Sequence, residues 1–251
     1  MKPQIYFVLG PTASGKSKFA LSLANKLNGE IINADSMQIY RELSILTARP
    51  TVNDQKKINH HLYGFVKGDV RFNVQKWCEE ASKKINYLLD KNINPILVGG
   101  TGLYIESLIN GIVSIPSIPE KVKIESDKMI LKIGKENFFN LVKDLDSEAM
   151  INIEPSDIQR IRRIWEVIFF TKKKFSDWKK SKNKNFINSK NYKILLFLPD
   201  RKENYRRVDH RTHLMMEDGA IEEVKNLLQL NYDDSLPIMK AHGVPEIQSY
   251  L

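Results

Sequence analysis

Residues Gly10-Pro11-Thr12-Ala13-Ser14-Gly15-Lys16-Ser17 follow a short apolar run, Ile5–Leu9 (IYFVL), and precede Phe19, Ala20, Leu23 and Leu27 at helical spacing. The pattern G-x-x-x-x-G-K-[ST], set between a strand and a helix, is a phosphate-binding loop. Gly10 and Gly15 let the backbone curl, so that Pro11, Thr12, Ala13 and Ser14 form a cradle whose N–H groups, Pro11 having none, point inward at phosphate oxygens. The helix starting near Lys16 adds the positive end of its dipole. Lys16 supplies a mobile cation, and Ser17 is a candidate Mg²⁺ ligand. The implied ligand is a diphosphate or a triphosphate.

Working outward, Glu30–Ala34 (EIINA), Pro95–Val98 (PILV) and Tyr192–Leu198 (YKILLFL) read as further buried strands. Gly29 reads as the stop signal of the first helix. Val74, Trp77, Cys78, Ala81, Ile85 and Leu88 keep a 3–4 residue period, which predicts an amphipathic helix with Cys78 on its apolar stripe. Strands alternating with helices imply a parallel sheet covered on both faces. Between Ile112 and Lys190 the pattern is helical with no convincing strand, and Pro116 and Pro119 mark the entry. The predicted fold class is therefore α/β, a P-loop NTPase, kinase-like core with a parallel sheet and a helical insertion domain. Residues 1–111 form the first part of the core, 112–190 the insertion, and 191–251 the return to the core. No internal repeat is present.

Composition bounds the class. The chain has 251 residues, 42% hydrophobic and 27% charged, which is ordinary for a folded globular protein and excludes a disordered chain or a fibre. No run approaches 18 apolar residues, so no transmembrane helix is expected. The opening MKPQIYFVLG is too short an apolar run for a signal peptide. The single cysteine, Cys78, excludes a disulfide framework and a Cys-rich metal site. A cytoplasmic protein is expected. The net charge is +9, and Lys172–Lys193 carries nine lysines against one acid, Asp177. Such a tract can follow a phosphate backbone or can be a solvated return linker.

What is missing narrows the chemistry. P-loop ATPases usually carry an Asp after an apolar strand to hold Mg²⁺, but Pro95–Val98 ends in Gly99-Gly100. There is no N-K-x-D guanine signature. The one acid at a strand end near the loop is Asp35, at the sheet edge where ligands of parallel sheets bind.

GPTASGKS, then Asp35-Ser36-Met37-Gln38-Ile39-Tyr40, Thr47-Ala48-Arg49-Pro50, His60-His61-Leu62, Leu97-Val98-Gly99-Gly100-Thr101-Gly102-Leu103-Tyr104 and Gln159-Arg160-Ile161-Arg162-Arg163 occur in one order along the chain. This series resembles the tRNA dimethylallyltransferases, also called tRNA isopentenyltransferases, across essentially the whole sequence. The resemblance implies transfer of the dimethylallyl group of dimethylallyl diphosphate to the exocyclic amine of the adenosine 3′ of the anticodon, with Mg²⁺ as cofactor. The loop Gly10–Ser17 would then hold the donor diphosphate, with Ser17 on the metal. Asp35 matches the general base. Ser36, Met37 and Gln38 match the segment contacting the target base. Thr101 matches a residue beside the reaction channel, implied to be both catalytic and tRNA-contacting. Gln159, Arg160, Ile161, Arg162 and Arg163 match a tRNA-binding stretch, and Lys123 falls where the family usually has an arginine. The implied partners are tRNA, through its anticodon stem-loop, and the isoprenoid diphosphate; a monomer without membrane contact is expected. Two departures stand out. Family members run longer, so further C-terminal helices are expected to be lacking here, and His242-Gly243-Val244-Pro245-Glu246 keeps only Gly243 of the late tRNA-contact segment.

The residues support this chemistry on their own terms. An adenine amine is a poor nucleophile, so a site must stabilise the leaving diphosphate and remove a proton. The target base must also leave its stack to reach a closed site. A helix predicted from Ser156 to Phe170 places Ile158, Ile161, Trp165 and Ile168 on one face and Gln159, Arg160 and Arg163 on the other, at about 100° per residue. His60-His61 lacks a third ligand and reads as a structural turn. Arg206, Arg207 and Arg211 form either a lid over the phosphates or a plain basic face. A P-loop nucleoside or metabolite kinase using ATP is the alternative enzyme, and an RNA-binding protein with a vestigial loop the alternative of another class.

Overall fold

The computed structural model describes residues 2–181, 183–187 and 191–251. The chain begins β1 (Ile5–Leu9), α1 (Lys16–Leu27), β2 (Gly29–Asn33), α2 (Val52–Lys57), β3 (His60–His61), α3 (Val74–Asp90), β4 (Asn94–Gly99) and α4 (Gly102–Asn110). It continues with β5 (Ile112–Val113), α5 (Glu120–Ile133), α6 (Lys135–Leu145), α7 (Ser147–Met150), α8 (Ile158–Thr171), α9 (Phe175–Lys179) and β6 (Asn183–Lys184). The last elements are β7 (Tyr192–Leu196), α10 (Arg201–Glu217), α11 (Ala220–Leu228), a 3₁₀ turn (Pro237–Lys240) and α12 (Val244–Tyr250). Two compact units result, one from residues 1–110 with 185–251 and one from 111–184.

The first unit holds an all-parallel sheet in the order β3-β2-β4-β1-β7. Val8, Ile31, Ile96 and Val98 face Ala20 and Ala24 of α1, and this layer is essentially closed to solvent. Alternation sends Phe7, Ile32 and Leu97 to the other face, also buried, where α3 lies against β2 and β4. The Trp77 ring of α3 stacks on Tyr104 of α4 at 4.4 Å, and its indole N–H donates to the Asn33 carbonyl at 3.0 Å. The helical period expected for Val74–Leu88 is the observed one, with Trp77, Cys78, Ala81, Ile85 and Leu88 buried.

Three local readings change. The first helix ends on Asn28, which takes the left-handed cap conformation (φ 47°), and Gly29 already starts β2. Asn tolerates that conformation because its short polar side chain bonds locally. The run YKILLFL reads as a strand buried on both faces, but β7 lies at the sheet edge with Lys193, Ile194 and Leu196 exposed. The segment 112–190 contains a short antiparallel pair, Ile112 with Lys184 and Val113 with Asn183, which ties the two ends of the second unit together. Two-residue strands leave too few residues to show a period, so sequence patterning could not reveal them.

The second unit is helical. Phe138 and Val142 of α6, Val122 of α5 and Ile161, Ile164, Trp165 and Val167 of α8 make its core. The first part of the Lys-rich tract, to Lys184, belongs to this unit rather than to a plain linker: Lys172 caps α8 in the left-handed conformation and α9 follows, while Lys193 lies in β7 of the first unit. Lys182 and Lys190 lie outside the described residues.

Cys78 is fully buried, and burial pushes its thiol up to about 12. The thiolate, the reactive form, is therefore scarce at neutral pH. Native protein should not react with a disulfide reagent at pH 8 on a minutes scale, whereas protein in denaturant should react at one thiol per chain. Rapid titration of the native protein would show that α3 opens readily.

Candidate active site

Gly15 precedes α1 with φ 87°, a conformation that glycine adopts without cost, and Ala13 is also left-handed at φ 61°. Gly10 is required for space rather than for its torsions, since a Cβ there would lie 2.8 Å from the Phe197 carbonyl oxygen. The Ser14 amide donates to the Pro11 carbonyl at 3.3 Å and closes the turn, and the first amides of α1 have no intrahelical acceptor. Lys16 Nζ donates to the Pro11 carbonyl at 2.9 Å, which holds the cation over the loop. Ser14 is buried and its hydroxyl has no hydrogen-bond partner among the described residues, while Ser17 is exposed at the start of the helix.

Burial pushes the Lys16 ammonium below its ordinary value; the Asp35 carboxylate opposes that shift and the Arg211 guanidinium adds to it. Arg211, from α10, is likewise lowered by burial and favoured in its charged form by Asp35. Two cations thus share one carboxylate, leaving excess positive charge beside the loop. Arg206 and Arg207 do not join them, because both pair with Glu203 on their own helix. Of the three arginines, only Arg211 belongs to the site.

Asp35 is positioned by its neighbours. Asn33, fully buried, accepts from the Asp35 amide at 2.9 Å and donates to the carbonyls of Asp35 and Leu62, each at 3.0 Å. Asp35 Oδ1 accepts from the amides of Met37 (2.9 Å) and Gln38 (3.3 Å), and the second carboxylate oxygen has no hydrogen-bond partner among the described residues. Thr101 Oγ1 accepts from the Ser36 amide at 3.1 Å, which brings the second implied catalytic residue to the same strand edge. Asn33 was not among the expected site residues. Its signal was a polar residue at the end of an apolar strand, and it was weaker than that of the acid two places on. His61 Nε2 bonds Glu30 at 2.6 Å and His60 bonds the Ile58 carbonyl at 2.8 Å, so the pair secures the edge strand β3 rather than a turn. Among the described residues no group of three His, Cys, Asp or Glu side chains could hold a metal.

The remaining expected residues lie on the second unit, where the structure separates them. Gln159, Arg160 and Arg163 are exposed on α8. Ile161 is fully buried, so its side chain serves the core and not a ligand. Arg162 pairs with Asp127 at 2.6 Å and Glu166 at 3.5 Å, bracing α8 against α5. Lys123 pairs with Glu120 at 2.7 Å and Arg160 with Asp157 at 3.1 Å. Lys172, Lys173 and Lys179 sit over the rings of Phe169, Trp178 and Phe175.

Replacing Asn33 by Ala should lower stability by about 1–3 kcal/mol, because its side chain is fully buried and the Asp35 amide and the carbonyls of Asp35 and Leu62 that it leaves are half-buried. Urea denaturation should show a lower midpoint at unchanged slope. An unchanged midpoint would remove Asn33 as the anchor of Asp35.

Comparisons with known proteins place the chain among relatives. The profile of the family described as IPP transferase matches residues 38–251. A tRNA dimethylallyltransferase of Pelagibacter ubique is 42% identical over 99% of this chain and 79% of its own length. One from a Wolbachia of Drosophila simulans is 40% identical over the whole chain and 84% of its own length. Among solved structures, a eukaryotic dimethylallyltransferase acting on tRNA covers the whole chain and 63% of its own, at TM-score 0.83 and 25% identity. The tRNA isopentenylpyrophosphate transferase of Staphylococcus epidermidis covers 99% of this chain and 80% of its own, at TM-score 0.64 and 29% identity. With a phosphate loop, a strand-end carboxylate and this likeness along its length, the chain belongs to the IPP transferase family.

Proposed function

We propose that the chain transfers the dimethylallyl group of dimethylallyl diphosphate to the exocyclic amine of the adenosine 3′ of the anticodon in tRNA, acting as a single chain in the cytoplasm. The observation that carries this reading is that Lys16 of the loop and Arg211 of α10 both lie within electrostatic reach of Asp35, just after β2. Two cations beside a loop of inward amides suit a diphosphate leaving group, and a carboxylate with one oxygen uncommitted suits proton removal from an amine. No strand-end acid follows β4, which disfavours the ATP-dependent kinase alternative.

In the reaction, the amine nitrogen forms a bond to the first carbon of the donor as the carbon–oxygen bond to diphosphate breaks. Lys16, Arg211 and the loop amides stabilise the charge that develops on the diphosphate. Asp35 takes the proton from the nitrogen, held in place through Asn33 and the amides of Met37 and Gln38. Thr101, tied to Ser36, fixes the wall of the channel. The exposed Ser17 hydroxyl, which has no hydrogen-bond partner among the described residues, would hold a Mg²⁺, and that ion would supply leaving-group stabilisation. No helix among the described residues is long and apolar enough to cross a membrane.

The direct test supplies labelled dimethylallyl diphosphate, or γ-labelled ATP with a nucleoside, to the purified chain together with unmodified tRNA. Label should move to tRNA only from the isoprenoid donor, and Asp35→Asn should lower turnover by about 10²–10⁴ with little change in apparent substrate affinity. Recovery of the variant at high Mg²⁺ would assign Asp35 to the metal instead, and phosphorylation without prenyl transfer would sink the reading.

Exposed cations of the second unit are the proposed tRNA contacts. Arg163 makes no ion pair among the described residues, so Arg163→Ala should weaken tRNA binding and reduce its salt slope by about one counterion. A slope equal to that of the parent protein would return Arg163 to a solvated surface.

A further inference from the structure

The carboxylate of Glu223, on α11, accepts from the amides of Ser44 (2.6 Å), Ile45 (2.8 Å) and Leu46 (2.9 Å) and from the Ser44 hydroxyl (2.9 Å). A carboxylate offers about four lone-pair positions, so these donors occupy it and leave none for a substrate. It fixes a turn instead. The Ala48 amide donates to the Ile45 carbonyl at 2.9 Å, the Arg49 amide to that of Ser44 at 3.0 Å and the Thr47 hydroxyl to that of Leu43 at 2.8 Å. Burial pushes the Arg49 guanidinium below its ordinary value, and the carboxylates of Glu223 and Glu42 oppose that shift. A cation on the turn thus balances the charge that anchors it.

The turn reaches the strand edge through Gln38. The Gln38 side-chain nitrogen donates to the carbonyls of Thr47 at 2.7 Å and Ala48 at 3.1 Å, which uses both of its hydrogens. The opposite orientation of that amide would set oxygen against two carbonyl oxygens, so the network decides it. The Gln38 backbone amide in turn donates to Asp35 Oδ1 at 3.3 Å, beside the Met37 amide at 2.9 Å. Asn33 holds the backbone of Asp35 and not its carboxylate. A continuous series of hydrogen bonds therefore runs from α11 to the carboxylate of Asp35.

We propose that Glu223 is a positioning residue for Asp35: it fixes the turn 44–49, the turn fixes Gln38, and the Gln38 amide sets one oxygen of the carboxylate. This rests on the reading of Asp35 as the base that takes the proton of the target amine. Without the anchor the turn loosens, the Gln38 amide leaves Oδ1, and the carboxylate is left on the Met37 amide alone. A misplaced base slows proton removal. A carboxylate that has lost an N–H donor also holds a proton more readily. The series includes no residue of Gly10–Ser17, so the donor site keeps its own support.

The test measures the single-turnover rate of transfer across pH, with labelled dimethylallyl diphosphate and unmodified tRNA, for the parent protein and Glu223→Ala. In the variant the rate at saturating donor and tRNA should fall about tenfold. The donor concentration giving half of that rate should change by less than about twofold. The acid limb of the rate profile should move up by about half a pH unit, the scale of one weak hydrogen bond to a carboxylate. A merely structural loosening would lower the rate alike at every pH and leave the limb in place, and that result would overturn the assignment. Gln38→Met removes the next link, so the double variant should move the limb no further than Gln38→Met alone; additive movements would also remove Glu223 from the role. If Glu223→Ala fails to fold, Glu223→Gln, which keeps one accepting oxygen, carries the measurement, and its limb should move the same way by a smaller step. A parent protein that transfers no prenyl group refutes the functional reading itself, whereas an active parent whose limb neither variant moves refutes only the role of Glu223.

Discussion

The ends of β2 and β4 approach so closely that a Cβ at Gly99 would lie 2.0 Å from the Ala34 carbonyl oxygen. The Ala34 amide bonds Val98 at 2.8 Å, and the chain beyond Gly99 then swings Thr101 against the Ser36 amide. That contact sets where Asp35 stands relative to the phosphate loop, which leaves the neighbouring strand β1. Any side chain at position 99 would drive the strand ends apart by more than a core of this density tolerates. Gly99, the last residue of β4, therefore lets the chain after β2 lie close enough for Asp35 to stand near the loop that follows β1.

Around that constraint the charges are arranged unevenly. Lys16 and Arg211 are both partly withdrawn from water, which alone would disfavour their charged forms, and Asp35 only partly offsets this. An anionic ligand would relieve both cations at once, so the desolvation already present favours binding of a diphosphate. Asp35 faces the cations on one side while its Oδ1 accepts from the amides of Met37 and Gln38.

The helical unit follows another logic. Arg162, Arg160 and Lys123 are drawn into ion pairs that brace its helices or cap its turns, and several lysines lie over aromatic rings. Exposed ion pairs of this kind contribute little stability and exchange readily with other anions. Arg163 and Gln159 lie on the side of α8 turned away from the Ile161 and Trp165 core.

The phosphate loop, the parallel sheet, the buried stripe of α3 and the two faces of α8 were legible in the sequence, because each depends on residues a few places apart and on a period set by backbone geometry. The roles of Asn33, Arg211 and Glu223 were not. Glu223 lies 177 residues or more from the amides it holds, and Arg211 reads like its neighbours Arg206 and Arg207 until α10 is placed. Whether a charged side chain pairs within its own helix, as Arg162 and Arg207 do across one turn, or meets a site from a distant element depends on packing. Sequence alone determined which chemistry the chain could carry. Only tertiary structure decided which of many like-charged groups stand beside Asp35, because that choice rests on contacts between segments far apart in the chain.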